Sequence, residues 1–312
     1  MSESRVHHGR SVEEGRIAVP GGEVWYRAVG AGGGTPLLLL HGGPGVPHDY
    51  LTPHDALAGA RRVVYYDQLG CGRSDRPDDA SLWTVERFVE ELAAVRVALG
   101  LDRVHLLGQS WGGSLALASV LAHPEGVRSV TLSSGPASGR RYGDDCLALK
   151  RALPADVLAR LEHGEQAGET DGADYEEALA VFNHRHICRL ETWPEEIECA
   201  NAGTSRVVYE HMWGPSEWTP TGVLADWDVT DRLGEIDAPV LLLAGRHDTC
   251  TPEHVADMAL RLRSARVSIF ERSSHFPHFE EPEAYLSVLA AFLADVDAGG
   301  RPSLAPVGHG DV

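Results

Sequence analysis

Ser110 lies at the centre of Gly108-Gln109-Ser110-Trp111-Gly112-Gly113, a Gly-x-Ser-x-Gly pattern. Its flanks give the pattern a mechanical meaning. Val104–Leu107 is short and apolar, as a buried strand is, and Ser114–Leu121 is rich in helix formers. A strand turning sharply into a helix holds such a serine in a strained backbone, its hydroxyl raised above the sheet. Glycines two before and two after it leave room for the turn. An ordinary Gly-rich turn with an inert serine is the weaker reading.

A serine hydroxyl is a poor nucleophile until a base takes its proton, and the base needs an orienting partner. On a strand-turn-helix site of this kind the chain order is serine, acid, histidine. Asp248, in Leu243-Ala244-Gly245-Arg246-His247-Asp248, follows one predicted strand, and His275, in Ser273-Ser274-His275-Phe276, follows the next. Both fall at strand C-terminal ends, where open α/β sheets place their sites. His278 and His247 compete for the base and Asp67 for the acid; His275 is preferred because it comes first after its strand, and Asp67 reads as a turn residue. Acyl transfer also needs donors for a developing oxyanion. His41-Gly42-Gly43-Pro44-Gly45 follows an apolar run, and its unobstructed backbone makes the Gly43 N–H one donor; the Trp111 N–H is the other. A phosphate loop would need Gly-x-x-x-x-Gly-Lys-Ser/Thr or GxGxxG after this strand, and neither is present.

These residues need a sheet to hold them. Arg16–Val19 and Val24–Val29 flank Pro20-Gly21-Gly22 and predict a hairpin. Further strands are predicted at 36–40, 62–66, 103–107, 129–132, 239–243 and 267–270, with helices over 82–99, 253–262 and 283–294. This alternation predicts a mostly parallel sheet with helices on both faces. It breaks between about Pro136 and Leu233, a charged, helix-like stretch with four of the seven tryptophans. The expected division is a core of 1–135 and 234–298, a helical cap over 136–233, and a disordered tail over 299–312.

Composition narrows the partners. A net charge of −19 argues against nucleic acid and anionic membranes. From Arg140 to Glu235 there are 20 acids against 9 bases, a solvated helical surface or a cap that draws in a cation. No apolar run approaches the roughly 18 residues of a membrane span. Met1–Arg10 lacks the apolar core of a signal peptide. The five cysteines form no Cys-x-x-Cys pair, which suits free thiols in the cytoplasm. No His/Cys spacing suggests a metal, and no cofactor is expected. Oligomeric state is not legible.

Together, His41–Gly45, Asp67–Ser74, Gly108–Gly113, Met212–Trp218, Gly245–Pro252 and Ser273–Glu281 resemble the proline iminopeptidase family of α/β-hydrolases. The likeness is to its tricorn-interacting aminopeptidase and L-amino-acid amidase branch, and spans roughly residues 15–295. It implies an α/β-hydrolase fold with a helical cap insertion. It also implies hydrolysis of the amide after a free N-terminal amino acid, often proline or a small or apolar residue. Ser110, Asp248 and His275 match the family triad, and Gly43 and Trp111 its oxyanion hole. Glu217 matches one of the glutamates that capture the substrate's ammonium. One departure stands out: a second such glutamate often follows the triad aspartate, and here that position is Thr249. Either ammonium recognition is weaker, or Glu191, Glu195 or Glu198 takes over.

The expected function is therefore a serine hydrolase that cleaves a peptide or aminoacyl amide bearing a free amine. Alternatives are a tailoring amidohydrolase acting on a specialised metabolite and an esterase, thioesterase or lactonase with the same triad. A non-enzymatic small-molecule receptor on this fold ranks below both.

Overall fold

The computed structural model describes residues 3–7 and 10–300. In chain order its strands and helices are β1 (Glu3–His7), β2 (Arg10–Val19), β3 (Gly22–Leu40), β4 (Arg61–Tyr66), α1 (Val85–Ala98), β5 (Val104–Gln109), α2 (Trp111–Ala122) and β6 (Val127–Ser133). Then come α3 (Gly139–Arg151), α4 (Ala155–Ala167), α5 (Ala173–His186), α6 (Glu195–Ala202) and α7 (Arg206–Met212). The chain returns to the sheet with β7 (Val240–Gly245), α8 (Pro252–Arg261), β8 (Ala265–Phe270), α9 (Pro277–Glu280) and α10 (Pro282–Asp297).

β3 joins two predicted strands in one 19-residue element. Its pairing with β4 reverses sense along its length: Tyr26 faces Tyr66 and Val29 faces Val63, whereas Leu37 faces Val63 and Leu39 faces Tyr65. The two arms of β3 therefore lie on either side of β4. The bend between them runs through Gly30–Gly34, where a side chain on Gly30 or Gly32 would strike the backbone of Ala58 or Ala60. Beyond the second arm, β5, β6, β7 and β8 add in parallel.

Alternation along the buried strands builds two cores. In β7, Val240 and Leu242 face one cluster with Leu106, Leu132, Leu115 and Met258, while Leu241 and Leu243 face another with Leu107, Phe270, Leu289 and Phe292. A continuous apolar run such as Val240–Leu243 is what a strand covered on both faces requires. Helices α1, α2 and α8 cover the first face and α10 the second. α1 starts three residues later than predicted because Thr84 caps it, its hydroxyl accepting the Arg87 N–H at 3.2 Å. A 12-residue 3-10 segment, His48–Gly59, was not anticipated; it buries Tyr50, Leu51 and His54.

Between β6 and β7 the chain forms the cap helices α3–α7. The cap has an interior of its own. Lys150 is buried, its Nζ 2.6 Å from Glu165 and 4.9 Å from the Trp218 ring, and Phe182 packs edge-on against Trp218 at 4.9 Å. All five cysteines are free thiols. Among the described residues no helix is long and apolar enough to cross a membrane. Of the expected tail, Gly299 and Gly300 bond back to α10; residues 301–312 lie outside the described residues.

Candidate active site

The site is built at the C-terminal ends of β5, β7 and β8. At the end of β5, Ser110 has φ +54° and ψ −124°, a conformation that L-residues rarely adopt. Close packing forces this turn. A Cβ on Gly108 would overlap Gly112, and one on Gly112 would overlap the Leu40 carbonyl. Ser110 is partly exposed while Gln109 and Trp111 are buried, so the strained turn lifts one hydroxyl out of the sheet. Trp111 opens α2, where backbone N–H groups have no intrahelical partner.

Asp248 and His275 stand on the loops after β7 and β8, both buried. His275 Nδ1 lies 2.7 Å from Asp248 Oδ1. Asp248 Oδ1 also accepts the Cys250 N–H at 3.0 Å, and Oδ2 accepts the Gly245 N–H at 3.3 Å. Burial is the largest influence on His275 and acts to lower its pKa. The charge of Asp248 and the hydrogen bond to it outweigh burial, and the net shift is upward. Gln109 Nε2 donates to the His275 carbonyl at 3.2 Å, which ties the neighbour of Ser110 to the histidine loop. Among the described residues no hydrogen bond joins Ser110 Oγ to the imidazole. Such contacts are often loose without substrate and tighten when it docks.

The rival residues are engaged elsewhere. Asp67 Oδ1 lies 2.8 Å from His48 Nδ1, and Oδ2 accepts the Arg73 N–H at 2.9 Å, which makes it a clamp on its own turn. His278 is buried, its Nε2 3.0 Å from the Tyr50 carbonyl oxygen, and burial holds its pKa well below the ordinary value. His247 offers its carbonyl to His186 Nδ1 at 2.9 Å.

One pocket brings the other candidates together. Gly43, Ser110, Trp111, Tyr142, Trp213 and Glu217 all line it. Glu217 is held by two phenols, Tyr209 Oη at 2.8 Å from Oε1 and Tyr142 Oη at 3.0 Å from Oε2. Burial first and the Glu217 charge second push both phenols well above their usual pKa, so they remain donors. Thr249 is buried beside this group and takes a hydroxyl contact with Tyr142 at 3.0 Å. Glu191, Glu195 and Glu198 are exposed, and none lines the pocket. A larger cavity of about 560 Å³ opens at the other end of the sheet, among Pro124, Arg128, Glu235 and Pro239, and shares no residue with this cluster.

Two residues given no role by sequence reasoning brace the segments that carry Gly43 and Trp111. Gln68 accepts from Trp111 Nε1 at 2.8 Å, and its own Nε2 donates to the His41 carbonyl at 2.9 Å. Tyr50 Oη accepts the Gly42 N–H at 2.6 Å and donates to Gln109 Oε1 at 2.8 Å. His41 is pulled down to about 4 by burial, and its neutral ring accepts the Gln68 N–H at 2.8 Å. The Asp67–Ser74 motif was the available signal for Gln68. Nothing local marks Tyr50.

The α/β hydrolase fold model matches residues 35–282. A proline iminopeptidase from Heyndrickxia coagulans is 44% identical over 285 residues, 91% of this chain and 99% of that protein. The chain belongs to the proline iminopeptidase family of α/β-hydrolases. It is a proline iminopeptidase-like serine aminopeptidase. Among solved structures, the proline iminopeptidase of Mycobacterium smegmatis is 37% identical, with a TM-score of 0.85 over 92% of this chain and 99% of its own. A protein described as VinJ is 36% identical, with a TM-score of 0.87 over 91% of this chain and 98% of its own.

Proposed function

We propose that Ser110, His275 and Asp248 are the catalytic triad and that the enzyme releases an N-terminal amino acid from a peptide or aminoacyl amide. His275 takes the Ser110 proton as Oγ attacks the carbonyl carbon, and the oxyanion lies against the Gly43 and Trp111 N–H groups. His275 then protonates the leaving amine. Water, deprotonated by the same ring, hydrolyses the Ser110 ester and frees the amino acid. Asp248 holds the imidazole with Nδ1 protonated.

The observation that carries the substrate class is Glu217 on the wall of the pocket that holds Ser110. Its carboxylate is already fixed by Tyr142 and Tyr209 and faces aromatic walls formed by Trp111, Trp213 and Trp227. An ammonium group satisfies that carboxylate, whereas a neutral amide leaves it unpaired, which is costly in a desolvated pocket. A small or cyclic apolar first residue, proline above all, suits the aromatic walls. The cap, over 136–233, supplies this selectivity. The free thiols and the absence of a membrane-length helix among the described residues fit a cytoplasmic enzyme.

The test compares prolyl 4-nitroanilide with its N-acetyl derivative. A loss of kcat/KM of about a hundredfold or more on acetylation is expected, the scale of a pocket charge left without its partner. Equal rates would sink the aminopeptidase assignment and favour an esterase or amidase indifferent to the amine.

A further inference from the structure

The Thr249 hydroxyl lies within reach of three groups that the proposed reaction uses or depends on. Its Oγ1 is 3.0 Å from His275 Nδ1, 3.3 Å from Asp248 Oδ1 and 3.0 Å from Tyr142 Oη. Tyr142 Oη in turn lies 3.0 Å from Glu217 Oε2. Thr249 is fully buried and Tyr142 and His275 nearly so, so bulk water does not replace any link.

Counting protons orients the chain. Tyr142 has one proton, and the carboxylate of Glu217 is the strongest acceptor near it. The phenol oxygen is then left to accept. Thr249 also has one proton. Asp248 Oδ1 already takes His275 Nδ1 at 2.7 Å and the Cys250 N–H at 3.0 Å, whereas Tyr142 Oη is nearer to Thr249 and, with two lone pairs, can accept from it beside its contact with the Cys146 thiol. The Thr249 proton therefore points to Tyr142, and its oxygen lone pair faces the Nδ1–H of His275. That lone pair is a second acceptor for the imidazole and favours its protonated form.

We infer that Thr249 is a positioning residue for His275, and that Tyr142 and Thr249 form a two-hydroxyl link between the amine-binding carboxylate and the catalytic base. The inference rests on the triad and Glu217 reading above. An amine that takes over Glu217 Oε2 releases the Tyr142 proton toward Thr249, and the Thr249 proton toward Asp248. The base then becomes less basic when a correct substrate is bound, and the protonated ring gives its proton more readily to the leaving amine. No covalent bond is made or broken in this relay. The ionisable groups that bear on the ring are Asp248, Glu217, Glu280, His278 and Tyr142 itself. Thr249→Val and Tyr142→Phe alter none of the charged ones.

The test is the pH dependence of kcat/KM and kcat for prolyl 4-nitroanilide and for 4-nitrophenyl acetate, an ester without an amine. Thr249→Val is expected to lower the apparent pKa of the acid limb by about half a unit or more. It is also expected to lower kcat roughly three- to tenfold on both substrates, with little change in KM. Thr249→Ser restores both. Tyr142→Phe shifts the acid limb in the same direction and also raises KM for the anilide. In the parent enzyme the limb for kcat lies below that for kcat/KM with the anilide, and the gap narrows in Thr249→Val. A Thr249→Val enzyme with the parent limb and kcat overturns the inference, and so does a Thr249→Ser enzyme that behaves like the valine variant. A fluorophosphonate probe separates this failure from failure of the triad: parent and Thr249 variants label at Ser110 if the triad stands, and absence of label in the parent refutes the underlying reading.

Discussion

The sheet edge and the cap contribute to one pocket by different physical means. At the sheet edge, position follows from backbone. Ser110 is set by a turn that only glycine neighbours permit, and Asp248 is gripped by the Cys250 and Gly245 N–H groups. In the cap, position follows from side chains reaching across long stretches of sequence. Tyr142 on α3 and Tyr209 on α7 meet on one carboxylate, and Lys150, Glu165 and Trp218 brace the helices behind it. A backbone-held group tolerates change in the side chains around it, though not in the glycines of its turn. A group held by side chains is retuned by single substitutions. The two halves therefore suit different tasks, invariant chemistry below and adjustable selection above.

The largest effect should come from the lower half. Ser110→Ala is expected to cut turnover by on the order of 10⁵-fold or more on every substrate, with the thermal unfolding midpoint unchanged. Near-parent turnover in the purified variant would remove Ser110 from the mechanism. Next comes the upper half: Glu217→Gln should reduce kcat/KM for free-amine substrates by on the order of a hundredfold. At a pH above the acid limb it should leave 4-nitrophenyl acetate nearly untouched, and equal losses on both there would dissolve the division of labour between edge and cap. Gln68→Ala tests the support of the donors. It leaves both N–H groups present but loosens their frame, so the expected loss of kcat is on the order of tenfold, below the 10²–10³-fold of removing a donor outright.

The smallest effect at neutral pH concerns stability. Burial pulls His41 and His54 down to about 4, and His278 well below its ordinary value. In the unfolded chain these rings take a proton near pH 6.5. Between pH 6.5 and 4 the unfolded state therefore binds more protons than the folded one. Stability present above pH 6.5 is lost as pH falls, by about 1.4 kcal/mol per pH unit for each ring. Glu91, pushed up to about 7 by burial, acts in the opposite sense and offsets one ring. Urea unfolding measured from pH 7 to 5 should show this decline, and a flat profile would show that the rings are not neutral in the folded state.

The placement of Ser110, Asp248 and His275 was legible because each sits on a turn after an apolar strand, where local pattern suffices. The sheet was legible for the same reason, down to the two separate arms of β3. The placement of β4 between those arms was not, because a register is a relation between distant residues. The segment His48–Gly59 escaped notice because Pro53 and its polar residues give no helical period. Gln68, Tyr50, Tyr142 and Thr249 each make a contact with a residue 43 to 107 positions away, and no local pattern encodes those. Glu217 was reached only through resemblance, for its contact with two phenols depends on how α3 and α7 pack.

The insertion of the cap between β6 and β7 also sets an order of events at the ribosome. Ser110 emerges early, on a strand whose neighbour β6 ends as an open apolar edge carrying Val130 and Leu132. The strand that covers that edge is not yet made, and unpaired edges of this kind invite association with other chains. The whole cap must be synthesised before β7 can close it, and Asp248 and His275 arrive only afterwards. A nascent chain thus carries Ser110 without its proposed base, His275, until only α9 and α10 remain to be made.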